Sequence, residues 1–233
     1  GPLGGGVMRA TARKIREQVD ELAAEMLEAA IEDITIVDGS IHVAGAPALG
    51  ISYADVAAEA AKRASVTAGP VFDVDLKYEG VGNGGWSCAT HVAIVDIDLD
   101  TGQVTIPRYL VVEDCGPLIN PAVVDGQVRG GVAQGIGAVF YEKAFYDDDA
   151  NLLTTTYMDY LIPTAMEIPK IEIEHLETLT EGENDFRGVG EGGMIGAPAT
   201  LTNAVSDALG VQVTTQYLPP STILELAGII TPD

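Results

Sequence analysis

Residues 121–141 have the sequence PAVVDGQVRGGVAQGIGAVFY. Branched apolar residues recur at a spacing of four in this stretch, and the spacing predicts a helix with one buried face: Val124, Val128, Val132 and Ile136. The same helix contains glycines at positions 126, 130, 131, 135 and 137. A glycine in a helix interior costs about 0.5–1 kcal/mol relative to alanine. So many of them indicate that another backbone or a ligand approaches this helix closely.

Two long strands are predicted ahead of this helix, at Ser87–Leu99 and Val104–Val112. The Asp100-Thr101-Gly102 sequence between them favours a hairpin turn. Pro107 cannot donate a ladder hydrogen bond, which places it at a sheet edge or at a bulge. A further strand and two helices are predicted after the glycine-rich helix: Ile171–His175, Pro198–Leu209 and Ser221–Leu226.

The first third of the chain has its own helices and hairpin. Apolar residues at alternating spacings of four and three, from Met8 to Met26, predict an amphipathic helix. Asp38-Gly39 lies between two β-rich runs and favours a type I′ turn, in which both central residues have positive φ. Ser52 is a good N-cap for a second helix, Tyr53–Arg63.

This order of elements predicts an α+β fold with a mixed or antiparallel sheet and packed helices. We expect one domain over residues 7–233. Residues 1–6, GPLGGG, resemble a linker or the start of a fragment, and the chain lacks an initiating Met. Both observations indicate a fragment or a cleaved chain.

Composition excludes several classes of function. With 12 Lys and Arg against 35 Asp and Glu, the net charge is 12 − 35 = −23. Such an acidic surface repels phosphate backbones and anionic membranes, and no run of 18 apolar residues could span a bilayer. Cys88 and Cys115 are isolated, which favours a reducing cytoplasm. The acidity itself suits either a salt-adapted or a highly soluble protein.

The densest candidate site is Arg187–Pro198, RGVGEGGMIGAP, in which Glu191 lies among five glycines. Those glycines allow a sharp turn and a close approach to another group. The alternative is that Glu191 caps the following helix or faces solvent. Residues 188–193 also match the G-x-G-x-x-G pattern of a dinucleotide-binding site. The match is rejected, because no βαβ unit follows and no acidic residue that could bind a ribose lies about 20 positions further on.

Gln134 is a second candidate, since a carboxamide on a glycine-lined helix can donate and accept hydrogen bonds to a polar ligand. Its alternative partner is neighbouring backbone. The histidines are too scattered for a metal site. Cys115 is expected to be a small buried residue, and Asn120-Pro121 to shape the turn before the helix.

Four ordered blocks over Ser87–Asp207 carry a resemblance, following the Asp100-Thr101-Gly102 hairpin: Asp114–Pro121, Gly126–Gly137, Tyr157–Thr164 and Gly188–Glu191. This region resembles the carboxy-terminal half of the molybdenum-binding subunit in the xanthine dehydrogenase/aldehyde oxidase family. The resemblance implies the second half of a molybdenum-cofactor-binding domain. It also implies molybdopterin, either plain or as the cytosine dinucleotide, whose dithiolene holds the metal without any protein ligand.

The resemblance also implies roles for individual residues. Glu191 matches the family's general base, which takes the proton from the Mo-bound hydroxyl as that oxygen attacks carbon. Gln134 matches a glutamine that hydrogen-bonds the cofactor near the metal. Gly190 would bring its backbone against the metal's ligands, and Gly188 and Gly135 are the other expected cofactor-binding residues.

The family implies a larger assembly around this chain. The expected partners are the upstream half of the molybdenum subunit, an iron–sulfur subunit with [2Fe–2S] clusters and an FAD subunit. The expected reaction is hydroxylation of an aldehyde, an N-heterocycle or a similar small molecule with oxygen from water, and the chain alone is expected to be inactive. The alternatives are a fragment of a carbon monoxide dehydrogenase large subunit and a non-catalytic scaffold or assembly module of the same fold.

Overall fold

The computed structural model describes residues 2–67, 71–78, 86–179 and 187–231. The chain divides into two compact units, Gly1–Gly82 and Asn83–Asp233. Each unit is described by itself, and a single domain over residues 7–233 stays a prediction.

The first unit packs two helices with a three-stranded antiparallel sheet of order β1-β2-β3. Its elements are α1 (Pro2–Leu27), β1 (Ile34–Val37), β2 (Ser40–Val43), β3 (Ala46–Ser52) and α2 (Tyr53–Thr67). Leu22, Ala23, Ile41 and Val56 are buried in its core. The β1–β2 turn has φ values of 49° at Asp38 and 78° at Gly39, which confirms the predicted positive φ at both positions.

Several expectations for this unit need correction. Residues 2–6 are helical rather than a linker, because α1 begins at Pro2. Strand β3 was not predicted, and α2 continues to Thr67 instead of ending at Arg63. Met8 and Ile15 belong to the predicted apolar face of α1 but are exposed, since the core of this unit covers the helix only from Val19 onwards.

The second unit contains a mixed three-stranded sheet with helices packed on it. Its elements are β4 (Cys88–Ile97), β5 (Val104–Asp114), α3 (Pro121–Phe140), β6 (Ile171–Leu176), α4 (Gly192–Ile195), α5 (Ala197–Leu209) and α6 (Pro220–Leu226). The strand order is β4-β5-β6, with β4 antiparallel and β6 parallel to the central strand β5. The α+β class and the mixed sheet are therefore confirmed.

Pro107 is in the central strand rather than at an edge of the sheet. The register of β4 with β5 shifts between Ile94 and Asp96, opposite this proline, and β6 pairs with β5 only from Tyr109 onwards. The proline therefore lies beside a bulge, where a missing donor is tolerated.

The core of this unit lies where α3 and α5 meet one face of the sheet. Tyr109 and Val111 of β5 are buried in one cluster with Val132 of α3 and Leu201 of α5. The predicted four-residue spacing along α3 is confirmed, because Val124, Val128, Val132 and Ile136 are all buried. The end of β5, the glycine-rich face of α3 and the start of α4 are thereby placed close together.

Within the described residues, no helix combines the length and the apolar character that crossing a membrane requires.

Candidate functional site

A cleft of about 430 Å³ in the second unit is lined by residues of α3 and of the segment that leads into α4. Its lining residues are Gln127, Gly130, Gly131, Gln134, Gly190, Glu191, Met194 and Ile195. Three residues singled out in the sequence, Gln134, Gly190 and Glu191, thus meet in one place although 57 positions separate the first from the last.

Helix α3 contributes its residues from a single face. Asn120 is the N-cap, and its side chain accepts a hydrogen bond of 3.3 Å from the backbone N–H of Val123. Pro121 then occupies the first turn, where its missing N–H is not needed. With the helix start fixed in this way, Gln127 and Gln134 lie two turns apart on the same face. Asn120-Pro121 was expected to shape the turn before the helix, and the structure places these residues at the N-cap and the first position of α3.

Glu191 immediately precedes α4 at the N-cap position, but its side chain makes no capping hydrogen bond. The capping alternative for Glu191 is therefore wrong for this structure. The side chain of Glu191 is exposed, which fits the solvent-facing alternative, and it also lines the cleft together with the exposed Gln134. A carboxylate with this placement can accept a proton or a hydrogen bond from a molecule in the cleft.

Helix α4, which forms the side of the cleft opposite α3, is held in place by close packing against α3. A Cβ placed on Gly131 would lie 2.6 Å from the backbone nitrogen of Met194. A Cβ on Gly193 would overlap the backbone of Val128 in the same way. Glycine is therefore required on both sides of this contact, which explains part of the glycine content of α3.

Gln127 is a member of this site that sequence reasoning did not single out. Its Nε2 donates a hydrogen bond of 3.3 Å to the backbone oxygen of Gly190, joining α3 to the residue before Glu191. The signal was present, because Gln127 precedes Gln134 by seven residues, which is two turns on one helix face.

Two of the predicted cofactor-binding glycines are not in the cleft. Gly188 is exposed, and a Cβ there would meet nothing within 4 Å. Gly135 is buried, and a Cβ there would lie 2.5 Å from the Cβ of Ala197 in α5. Gly135 therefore has a packing role, and no contact with the cleft supports a binding role for either glycine.

Two consecutive acidic residues at the end of β5, Glu113 and Asp114, lie next to the segment 187–192, which contains Glu191. The Oδ1 atom of Asp114 accepts a hydrogen bond of 2.7 Å from Nη1 of Arg187, and both side chains are 8% exposed. Burial alone would raise the pKa of Asp114, but hydrogen bonds from Thr178 and Gly116 and the charge of Arg187 lower it overall.

Glu113 has a different environment. It is 1% exposed, and neither carboxyl oxygen has a hydrogen-bond partner among the residues that the structure describes. Burial raises its pKa, and the nearby His175 offsets part of that effect. Its Oε1 lies so close to Gly192 that a Cβ at that glycine would be 2.5 Å away.

The cysteines and His175 do not line the cleft. Cys115 is buried, as predicted, and Cys88 is exposed. His175 contacts Asp125 across 2.9 Å, and this hydrogen bond is the main reason that the pKa of Asp125 is lowered. In the parts of the chain that the structure describes, no group of three or more His, Cys, Asp or Glu residues could hold a metal ion.

Comparison with known families gives one match over most of the chain. The family model described as "Molybdopterin cofactor-binding domain" matches residues 2–169, a range that includes parts of both units. This range covers Gln127 and Gln134 of the cleft.

Two of the similar proteins are much longer than this chain. The nicotine 6-hydroxylase large subunit of Paenarthrobacter nicotinovorans is 40% identical over 230 residues, which are 94% of this chain and 27% of that protein. The carbon monoxide dehydrogenase large chain of Hydrogenophaga pseudoflava is 32% identical over 89% of this chain and 26% of its own length. The chain thus spans little more than a quarter of these two relatives.

Solved structures agree with the sequence matches. Quinoline 2-oxidoreductase from Pseudomonas putida 86 is 42% identical with a TM-score of 0.74, covering 92% of this chain and 28% of that one. Carbon monoxide dehydrogenase from Oligotropha carboxidovorans is 26% identical with a TM-score of 0.80, covering 96% of this chain and 28% of that one.

Proposed function

Because the chain belongs to the molybdopterin cofactor-binding domain family, we propose that it is the part of a molybdenum hydroxylase subunit that presents Glu191, Gln127 and Gln134 to the cofactor. The observation that carries this proposal is the single cleft in which all three side chains lie. In this proposal Glu191 is the general base and the two glutamines bind the cofactor.

The cleft fits a group of this kind. Its volume of about 430 Å³ lies within the usual range for small-molecule sites, about 300–1,000 Å³. The carboxamides of Gln127 and Gln134 can donate and accept hydrogen bonds, as the polar edge of a pterin requires. A Cβ on Gly130 would meet nothing within 4 Å, so this wall leaves room for a molecule to approach the helix backbone.

The chemistry explains why a carboxylate is needed there. When bound, the molybdenum cofactor supplies the two-electron oxidation with oxygen drawn from water. Replacing a C–H bond by C–OH with water releases two protons with the two electrons, so a proton acceptor next to the reacting atoms lowers the barrier. Glu191 can take up such a proton at its carboxylate, while Gln127 holds the backbone of the preceding residue in place.

We propose an N-heterocyclic compound as the substrate. Two of the similar proteins, at 40% and 42% identity, are named for nicotine and quinoline, which both contain a pyridine-type ring. The carbon monoxide dehydrogenases in the comparison are 26–32% identical. An aldehyde is the alternative, since an aldehyde oxidoreductase subunit of Escherichia coli is 33% identical over 54% of this chain.

We also propose that the chain works within a complex. One similar protein is named as a subunit of a 6-hydroxypseudooxynicotine dehydrogenase complex. Electrons from the oxidation need acceptors, and we assign that role to iron–sulfur and FAD-containing partner chains in the cytoplasm.

The test of the proposed base is Glu191→Gln in the complete molybdenum enzyme. We expect turnover to fall by about 10²–10⁴-fold, the usual size of a general-base effect, with unchanged molybdenum and pterin content. The control is Glu32→Gln, an exposed glutamate of the first unit, which should leave turnover unchanged. Near-normal turnover in Glu191→Gln would remove Glu191 from the mechanism.

Metal content separates this proposal from a scaffold without chemistry. Active material without molybdenum would refute the proposal, and a stable protein that binds neither molybdenum nor pterin would support the scaffold. Assays of the same enzyme with pyridine-type heterocycles and with aldehydes would then test the substrate class.

A further inference from the structure

We propose that Arg187 and Asp114 are positioning residues for Glu191: their buried ion pair fixes the start of the loop that carries the carboxylate. This inference rests on the proposed function of Glu191 and concerns two residues that do not line the cleft. It arises from the contacts of one arginine that stands four positions before the base.

Arg187 is tied to the end of β5 by both its backbone and its side chain. Its backbone N–H donates a hydrogen bond of 2.8 Å to the carbonyl of Cys115. Its guanidinium donates to Oδ1 of Asp114 at 2.7 Å and to the carbonyl of Thr178 at 2.9 Å. Three bonds to neighbouring strand ends leave the residue little freedom to shift.

Asp114 is itself held in place by other groups. The same Oδ1 atom accepts hydrogen bonds from the backbone N–H groups of Gly116, at 3.0 Å, and Thr178, at 3.3 Å. The carboxylate therefore joins the end of β5, the turn after it and the segment after β6 to the guanidinium. These contacts form a fixed support at the start of the loop.

The far end of the loop is fixed by a different contact. Helix α4 begins at Gly192 and packs closely on α3 at Gly131 and Gly193. Residues 188–191 therefore connect two supports, and Glu191 lies next to the second one. Between the two supports, Gln127 donates a hydrogen bond of 3.3 Å to the carbonyl of Gly190, and this bond is exposed. Release of the first support would leave this exposed bond and α4 to hold the loop, so the carboxylate could move in the cleft while the helices stayed packed.

Arg108, which is in the same strand as Asp114, provides a matched comparison. Arg108 of β5 makes two hydrogen bonds to Glu172 of β6, at 2.9 and 2.8 Å. That pair is exposed, with side chains 57% and 40% accessible, and it joins two strands rather than a loop. Solvent screens such a pair, whereas the loss of Arg187 would leave a buried carboxylate without its counter-charge.

Amide hydrogen exchange on the complete chain tests the physical claim directly. In Arg187→Met we expect exchange of the amides of residues 188–192 to increase about tenfold or more, most clearly at Gly192, whose N–H donates to the carbonyl of Val189, since local opening is measured this way. Amides of α3 and α5 should exchange as in the unmodified chain. In Arg187→Lys the loop should exchange faster than in the unmodified chain but more slowly than in Arg187→Met, because lysine keeps the charge but lacks the planar guanidinium. Arg108→Met should leave the exchange of the loop unchanged.

Two results of this measurement would overturn the proposal. Unchanged loop exchange in Arg187→Met would show that the pair does not hold the loop. An equal increase in α3 and α5 would show a general contribution to the fold rather than positioning.

Activity of the molybdenum-loaded enzyme provides the second readout. Arg187→Met should lower kcat by about 10²-fold, the usual cost of misplacing a reacting group, with KM and molybdenum content retained. An unchanged kcat in this variant, with Glu191→Gln inactive, would overturn the positioning role and leave the proposed base intact. Full activity of Glu191→Gln, with a loosened loop in Arg187→Met, would instead refute the proposed base alone.

Discussion

Glu113 and Asp114 are adjacent in sequence, yet β5 gives them opposite environments. Asp114 accepts three hydrogen bonds, one of them from a guanidinium, and its pKa is lowered. Glu113 is also buried but has no hydrogen-bond partner in the described part of the chain, and burial raises its pKa. Successive side chains of a strand point to opposite faces, which explains why neighbours in the sequence differ so strongly.

The raised pKa of Glu113 predicts a pH-dependent stability. The folded chain binds this proton more tightly than the unfolded chain, whose carboxyl has the ordinary pKa of 4.5. The favourable contribution is complete below that value and is lost as the pH rises through the folded pKa, and each tenfold difference in proton affinity corresponds to about 1.4 kcal/mol. Glu113→Gln removes this loss, so its stability relative to the unmodified chain should increase as the pH rises above 4.5 and level off once the pH has passed the folded pKa.

Thermal or urea unfolding at several pH values measures this difference. Glu174→Gln is the control, because Glu174 is an exposed glutamate of the neighbouring strand and its replacement removes the same charge without changing a buried group. A stability difference for Glu113→Gln that stays constant with pH, or that decreases as the pH rises, would contradict the prediction.

Helix α3 contains glycines of two kinds, which its sequence alone does not distinguish. Gly131 and Gly135 face α4 and α5, where a Cβ would overlap neighbouring atoms. Gly126 and Gly130 are exposed, and a Cβ there would meet nothing within 4 Å. Packing within the chain explains why Gly131 and Gly135 are glycines. At Gly130, the lack of a side chain instead leaves room for a molecule in the cleft.

This division predicts opposite effects of alanine at neighbouring positions. Gly131→Ala should destabilise the chain by about 1–3 kcal/mol, because α3 and α4 must separate to admit the methyl group. Gly130→Ala should stabilise it by about 0.5–1 kcal/mol through helix propensity and, in the complete enzyme, lower the content of molybdenum and pterin. Denaturant unfolding measures the first two effects, and metal analysis measures the third.

Gly126→Ala is the matched control, since Gly126 is equally open, lies one turn away and does not line the cleft. It should raise stability like Gly130→Ala but leave the cofactor content unchanged. Full cofactor content in Gly130→Ala would show that this glycine does not face the cofactor.

Elements with a local signal were predictable from the sequence. Asp38-Gly39 needs only its own two residues to form a type I′ turn, and Asn120-Pro121 needs only the next turn of helix to act as an N-cap. The apolar spacing of α3 likewise reports a buried face without any knowledge of what covers it. The resemblance then indicated where Glu191 and Gln134 would meet.

Features that depend on distant pairing were not predictable in the same way. The pair of Arg187 with Asp114 joins residues 73 positions apart, and the parallel pairing of β5 with β6 sets which residues meet there. Gly131 and Gly135 showed that something approaches α3, but only the fold shows that it is α4 and α5. Short α4 was missed because four residues, two of them glycine, carry too little helix signal.

At the scale of the whole molecule, the two units have separate cores. The buried cluster of the first unit and the apolar residues packed on it lie between Val19 and Phe72, and those of the second lie between Ala93 and Leu226. The cleft and its supports belong entirely to the second unit. The net charge of −23 adds self-repulsion, which each core must overcome.

These separate cores predict that residues 83–233 fold without residues 1–82. Their cluster contains buried side chains from the sheet, from α3 and from α5, and a segment of this length can bury enough apolar surface to be stable alone. We expect cooperative thermal unfolding of the segment within about 4 °C of the corresponding transition in the full chain, a shift that corresponds to about 1 kcal/mol for a segment of this size. The amides of residues 188–196 should keep their exchange rates, because the ion pair of Arg187 with Asp114 is retained.

Residues 1–82 alone form the comparison, and their smaller core should give a less stable fold. A segment 83–233 that is unfolded, or whose loop exchanges much faster than in the full chain, would contradict this prediction.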